Sequence, residues 1–154
     1  MTGPGFATLL ACHVLAGLVG FGALGASGAF ALAVARARDL AALDAARRYF
    51  SPGRNLASRA VLLVPVFGGA LLGLDPADAR RAFPWIGLGL WLAAVAIASA
   101  VVWPAERELQ AGLAARRAGP PGPLGAPARR VVLGAAGTTL CFLAALVVMV
   151  AQPA

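Results

Sequence analysis

Four long apolar runs separated by short polar stretches set the pattern of this chain. The first, residues 6–35, contains one histidine and no Asp, Glu, Lys or Arg. A helix crosses the hydrocarbon layer of a bilayer in about 20 residues, so this run is long enough to span. Three more follow at about 55–74, 83–105 and 131–151. Lipid offers the backbone no hydrogen-bond partners, so each run is expected to be helical. The predicted fold class is all-α: a polytopic membrane protein built as an antiparallel four-transmembrane-helix bundle, one membrane domain over residues 1–154. MTGPGFATLL at the start lacks a basic n-region, and the run after it exceeds a signal-peptide core. It therefore reads as a retained span.

Inside the spans the small residues are patterned. At about 100° per residue, His13, Ala16, Gly17, Gly20, Leu24, Ser27, Gly28 and Ala31 fall in one stripe of the first helix. Small side chains let helix backbones approach in a medium as apolar as leucine. Gly69/Gly73 in span two, and Gly134/Thr138 and Gly137/Cys141 in span four, extend the same expectation of helix packing. Pro65 predicts a kinked or loosened span two. The uncharged part of that span is only Ala60–Leu74, which places Arg59 at the interface, snorkelling toward headgroups. Trp85 and Trp103 bracket span three, about 27 Å apart at 1.5 Å per residue, and read as interface anchors of an aromatic belt. The short DPADARRAFP loop predicts that spans two and three are adjacent and antiparallel.

Charge gives an orientation. All 13 basic residues are arginine against 6 acids, for a net charge of +7. Only Arg80 and Arg81 lie in the loop between spans two and three; the others flank or occupy the segments 36–54 and 106–130. The positive-inside rule makes those Arg-rich loops cytoplasmic and both termini external, in a bacterial cytoplasmic (inner) membrane. Arginines arranged around apolar spans suit the lipid bilayer and its anionic lipids rather than nucleic acid. ARARDLAALDAARRYFSPGRN predicts a helix to Arg48 or Tyr49, with Leu40, Leu43, Ala46 and Phe50 opposed by Arg38, Asp39 and Arg48. It reads as a solvated extension of span one in preference to a segment lying on the leaflet, and Ser51-Pro52-Gly53 ends it. AERELQAGLAARRAG predicts a second such helix, with Glu106 and Glu108 early and Arg116 and Arg117 late, closed by the Pro/Gly run at 119–123.

Candidate chemistry is sparse. Cys12 and Cys141 lie in apolar runs without metal-ligand spacing. Neither Ser27 nor Ser99 has a base to activate it, so no enzyme is predicted. No Asp or Glu falls within the four spans, which disfavours a coupled transporter. His13, the single histidine, is the one ionisable group at membrane depth. One reading makes it an axial ligand for haem or a chlorophyll-type pigment, with Met149 at a compatible depth. The favoured one is a neutral imidazole bonded to a helix carbonyl, Ser or Thr, tightening the bundle. Arg59 and Glu106 share one end of the bundle, where snorkelling is favoured over a pair that fixes register. Three functions follow, in order: a non-catalytic accessory or scaffold subunit of a larger membrane complex, contacting other membrane subunits or itself; a haem- or pigment-binding electron-transfer subunit using His13; and a transporter component.

CHVLAGLVGFGALGASG in span one and WPAERELQAGL after span three carry a resemblance. The chain resembles a group of uncharacterised bacterial four-span membrane proteins, distantly like the copper-resistance D membrane domain. That likeness implies the four-span architecture. Domains of that kind carry additional histidines and methionines, whereas this chain has only His13, Met1 and Met149.

Overall fold

The computed structural model describes residues 3–36, 40–51, 54–115 and 124–152. Arg38, Asp39, the Pro52-Gly53 break, Arg116, Arg117 and the Pro/Gly run at 119–123 lie outside them. Helix α1 (Pro4–Arg36) is followed by α2 (Leu40–Tyr49) and a 3-10 helix (Arg54–Leu63) that runs into α3 (Val64–Leu74). After a short 3-10 turn come α4 (Ala82–Ile97), a π-helical turn (Ala98–Val102), α5 (Trp103–Ala115) and α6 (Gly125–Ala151). No strand occurs among the described residues. Four helical stretches are long and apolar enough to span: Pro4–Arg36, Leu56–Leu74, Ala82–Ala115 and Gly125–Ala151.

Span one is the centre of the bundle, with span two on one side and span four on the other, and span three packs on span four. The contacts are close because they involve glycine. A Cβ added to Gly20 would fall 2.7 Å from the Cα of Val61, so α1 and the 3-10 helix meet backbone to backbone. A Cβ on Gly28 would lie 2.6 Å from that of Ala135, and one on Gly17 would touch Phe142. Partner numbers fall along α6 as they rise along α1, so the two helices are antiparallel. Phe21 and Phe142 stack between them at 4.7 Å. Gly134 and Gly137 receive Val102 and Ile97 from span three. Ala16, Gly17, Gly20, Leu24, Ser27, Gly28 and Ala31 are all buried.

Gly69 and Gly73 behave differently from the expectation: both are exposed, and a Cβ on either would meet nothing within 4 Å. Span two turns Gly68 inward instead. Its first half winds as 3-10, three residues per turn, and the burial follows that period. Ser58 and Val61 are buried, whereas Leu56, Arg59 and Leu62 are exposed. Pro65 is the local cause. It lacks the N–H that an α-helix would aim at the carbonyl of Val61. The 3-10 rise of about 2.0 Å per residue also stretches a short apolar run to roughly 32 Å, enough for the hydrocarbon layer.

Spans two and three are antiparallel, as the short loop predicts, but they meet through long side chains rather than helix against helix. Trp91 of α4 reaches across and donates its indole N–H to the carbonyl of Val61 at 2.8 Å. The indole thus ties span three to the backbone of span two, at the carbonyl to which Pro65 offers no α-helical i+4 donor.

The arginine-rich segments fold into a packed cap. Helix α2 turns back instead of extending span one: Leu43, Ala46 and Phe50 are buried in the same cluster as Leu109 and Leu113 of α5, Leu124 just before α6, and Ala128 and Val131 of α6. Span three runs on through Pro104 to Ala115. The π turn accommodates the proline, with the Trp103 backbone N–H bonding to the Ala98 carbonyl five residues back. Arg130 and Glu108 form a bidentate pair between α6 and α5. Outside the bilayer water drives apolar burial at about 25 cal/mol per Å², and this is why the two amphipathic segments collapse on each other.

If the indole substitutes for the missing proline donor, the two positions are coupled. Trp91→Phe destabilises the wild-type protein by about 1 kcal/mol, a typical interhelical hydrogen bond in a membrane. In a Pro65→Ala background the loss is smaller, because the introduced alanine restores a backbone donor. Reversible unfolding of the four proteins of this cycle measures the difference.

Candidate functional site

His13 lies half-buried on α1, and its Nδ1 is 2.9 Å from the Val64 carbonyl of span two. A carbonyl only accepts, so Nδ1 carries the proton and Nε2 carries the lone pair. Gly68, one turn after Val64, makes room: a Cβ there would stand 3.2 Å from His13 Cε1. The imidazole is thus a tie from span one to the backbone of span two. Met149 is not brought to it. The Met149 methyl packs on α4, where a Cβ at Gly87 would fall 2.5 Å from it. The two share a depth but face different neighbours, so the paired axial-ligand arrangement is absent. No group of three or more His, Cys, Asp or Glu suited to a metal occurs among the described residues.

A second polar site stands at the arginine-rich end, where no sequence motif marks it. Tyr49 comes down from α2 onto α1, stacking on Phe30 at 4.2 Å and 16° and meeting Phe50 edge-on. Its hydroxyl donates to the Ala23 carbonyl at 3.0 Å. With that proton committed, the Ser27 hydroxyl is the donor in the 3.0 Å contact between the two side chains. Burial raises the Tyr49 pKa; the Ser27 hydrogen bond offsets this in part, and the Glu106 carboxyl adds to the rise. Glu106 itself is only 4% exposed. The sequence predicts a separate solvated helix with Glu106 in its first turn; the helix is instead continuous with span three and buries Glu106 in the bundle.

The two interface anchors of span three also part company. Trp85 is 58% exposed and donates to the Ala79 carbonyl at 2.9 Å. Trp103 is 8% exposed, and its ring faces into the bundle. Arg59 lays its guanidinium on that ring, 4.0 Å from the centroid. This cation–π contact holds Arg59 at the bundle end while the residue stays exposed. A cleft of about 380 Å³ runs between α1 and the 3-10 helix, lined by Leu18, Val19, Gly22, Ala26, Tyr49 and Ser58.

Two signals in the sequence mark these residues in retrospect. Tyr49 is the only tyrosine, at the end of an amphipathic segment, and Glu106 lies three residues after Trp103, hence on its helical face.

The fold and these sites define a polytopic helical membrane protein whose internal polar groups mostly tie one helix to the next. The chain belongs to the family described as "Predicted integral membrane protein (DUF2269)", whose profile matches residues 7–153. Comparison with curated proteins and with solved structures gives no match. Membership is thereby shown for the integral membrane family; the likeness to the copper-resistance D membrane domain is not.

With a single tyrosine, tyrosinate absorbance reads one group. Tyr49 is expected to titrate above an ordinary phenol. Glu106→Gln lowers the midpoint and Ser27→Ala raises it further. Because the folded-state pKa is raised, the stability linked to it is complete below the unfolded phenol value and is lost as pH rises through the folded one. An unchanged midpoint in Glu106→Gln would remove the carboxyl from the site.

Proposed function

We propose that the chain is a non-catalytic accessory or scaffold subunit of a larger membrane assembly, in a bacterial inner membrane with its termini outside. The observation that carries this reading is the bare face of span two. Only 11% of its membrane window is buried in the bundle, against 22–28% for the other three. Helix α3 has no buried residue, and Val66 on it is 62% exposed. Exposure of apolar surface costs nothing in lipid, so the weight falls on Gly69 and Gly73. A glycine inside a helix costs about 1 kcal/mol against alanine, and in this protomer neither position gains a close contact in return. A second transmembrane helix on that face would supply it. The polar groups support a structural role too: His13, Ser27, Tyr49, Trp91 and Thr138 are engaged with carbonyls or with each other. The segregation of arginines to the cap supports the orientation.

A photo-crosslinking residue at Val66 tests this in native membranes. It should give a discrete protein adduct that Gly69→Leu abolishes, whereas a probe at the still more exposed Val150 labels lipid. Lipid adducts alone from Val66 would overturn the scaffold reading.

A second reading has one specific observation in its favour. Bonding Nδ1–H to a backbone carbonyl leaves Nε2 available, the arrangement in which imidazoles bind metals, so His13 retains the form needed for haem or pigment ligation. Protein purified gently from its native membrane should then show a Soret or chlorophyll-type band that His13→Ala removes. A colourless preparation dismisses this second reading.

A further inference from the structure

Trp103 collects two arginines at the arginine-rich end of the bundle. Arg59, from span two, lies on its ring with the guanidinium carbon 4.0 Å from the centroid. Arg107, one turn further along α5, folds back so that its Nε donates to the Trp103 carbonyl at 3.4 Å. Both arginines are exposed, and among the described residues neither is in an ion pair. The acids of α5 are occupied elsewhere: Glu106 is buried in the bundle, and Glu108 is held by Arg130. A guanidinium stacked by its face keeps its N–H edge, and one bound through Nε keeps its two terminal nitrogens. Such planar forks match the oxygens of a phosphate. Leu62 follows Arg59 in the same 3-10 row, since side chains at i and i+3 eclipse, and it is 41% exposed. An apolar surface therefore runs from the Arg59 guanidinium toward the middle of the bilayer.

We propose that Arg59 and Arg107 form a clamp, built on Trp103, for the phosphate of one anionic phospholipid in the leaflet on the arginine-rich side, with an acyl chain against Leu62. Charge selects the headgroup. Two cations outside any described ion pair take a ligand of net negative charge, whereas phosphatidylcholine brings a cation of its own toward them. Depth selects a lipid over an acidic protein segment, because Arg59 lies within the membrane-spanning stretch Leu56–Leu74. The clamp belongs to the 3-10 half of span two, away from Gly69 and Gly73. It therefore stands whether or not a partner helix covers that pair.

The test places the full chain in nanodiscs of equal phosphatidylglycerol and phosphatidylcholine, releases it into the mass spectrometer and counts the lipids retained. Wild type should keep one phosphatidylglycerol in preference to phosphatidylcholine. Arg59→Gln and Arg107→Gln should each cut that preference about fivefold, the worth of one arginine near an anionic lipid, and the double variant should abolish it. Arg48→Gln removes another exposed arginine of the same end and should behave as wild type. Every variant replaces an exposed side chain, so the bundle should form in each. Three outcomes overturn the proposal: equal retention of both lipids by wild type, an unchanged preference in either clamp variant, or a loss in Arg48→Gln equal to theirs, the mark of diffuse attraction. Displacement of the lipid by inorganic phosphate would assign the clamp to the free ion. A photo-crosslinker at Leu62 that captures protein and no lipid in native membranes would assign it to a partner segment. Either result overturns the proposal as well.

Discussion

A carbonyl in the middle of a bilayer has no water to turn to, and span two contains a proline. That combination shapes the bundle. Pro65 cannot donate to Val61, the preceding turns wind as 3-10, and two side chains from outside the helix reach its carbonyls: Trp91 at Val61 and His13 at Val64. The 3-10 winding offers the Val61 carbonyl the Val64 N–H three residues on, and α3 offers the Val64 carbonyl the Gly68 N–H, so the two side chains add ties between helices where no water competes for them. They also explain the unusual packing of span two. It is gripped from both sides by its backbone and by the Gly20–Val61 approach, and it needs little side-chain burial to stay in place.

One continuous core is held by different forces at its two ends. Within the bilayer, lipid competes on equal terms for apolar side chains, and cohesion comes from close approach at Gly20, Gly28 and Gly134 and from a few hydrogen bonds. In the cap, Leu43, Phe50, Leu109, Leu113, Leu124 and Val131 form an ordinary water-driven cluster. Tyr49 joins them. Its ring belongs to the cap, stacked on Phe30, while its hydroxyl reaches down to Ala23 and Ser27 of span one. Any movement of α2 against the bundle must break those contacts together.

How far this is legible in the sequence depends on what each residue signals. Apolar length locates the four helices, and the small-residue period of α1 locates its packing stripe, because both depend only on local spacing. Helical spacing pairs Gly69 with Gly73 but does not name their neighbour, and within this chain it is Gly68 that meets another helix, at His13. Distance from Trp85 makes Trp103 look like a belt residue, but the π turn and the Arg59 contact decide where its ring points. The cap does not show in the sequence as a packed unit, since α2 and α5 are far apart in the chain and each alone has only a partial apolar face. Even so, the pairing of Trp91 with Pro65 is available in principle: a mid-span indole N–H must find an acceptor, and a mid-span proline creates one.

The change of winding within span two also accounts for its two different surfaces. In the 3-10 half, side chains stack in three straight rows; Ser58 and Val61 face α1, and Leu56, Arg59 and Leu62 face outward. The slim helix leaves a furrow beside α1 with Ala57 in its wall. In the α half the rows spiral, and Gly69 and Gly73 make a flat patch broad enough for another helix. A uniform α-helix from Leu56 to Leu74 would turn Ser58 and Val61 out of line with each other and shorten the span by several ångströms. The furrow, the flat patch and the fit to bilayer thickness therefore share one origin, the proline at position 65.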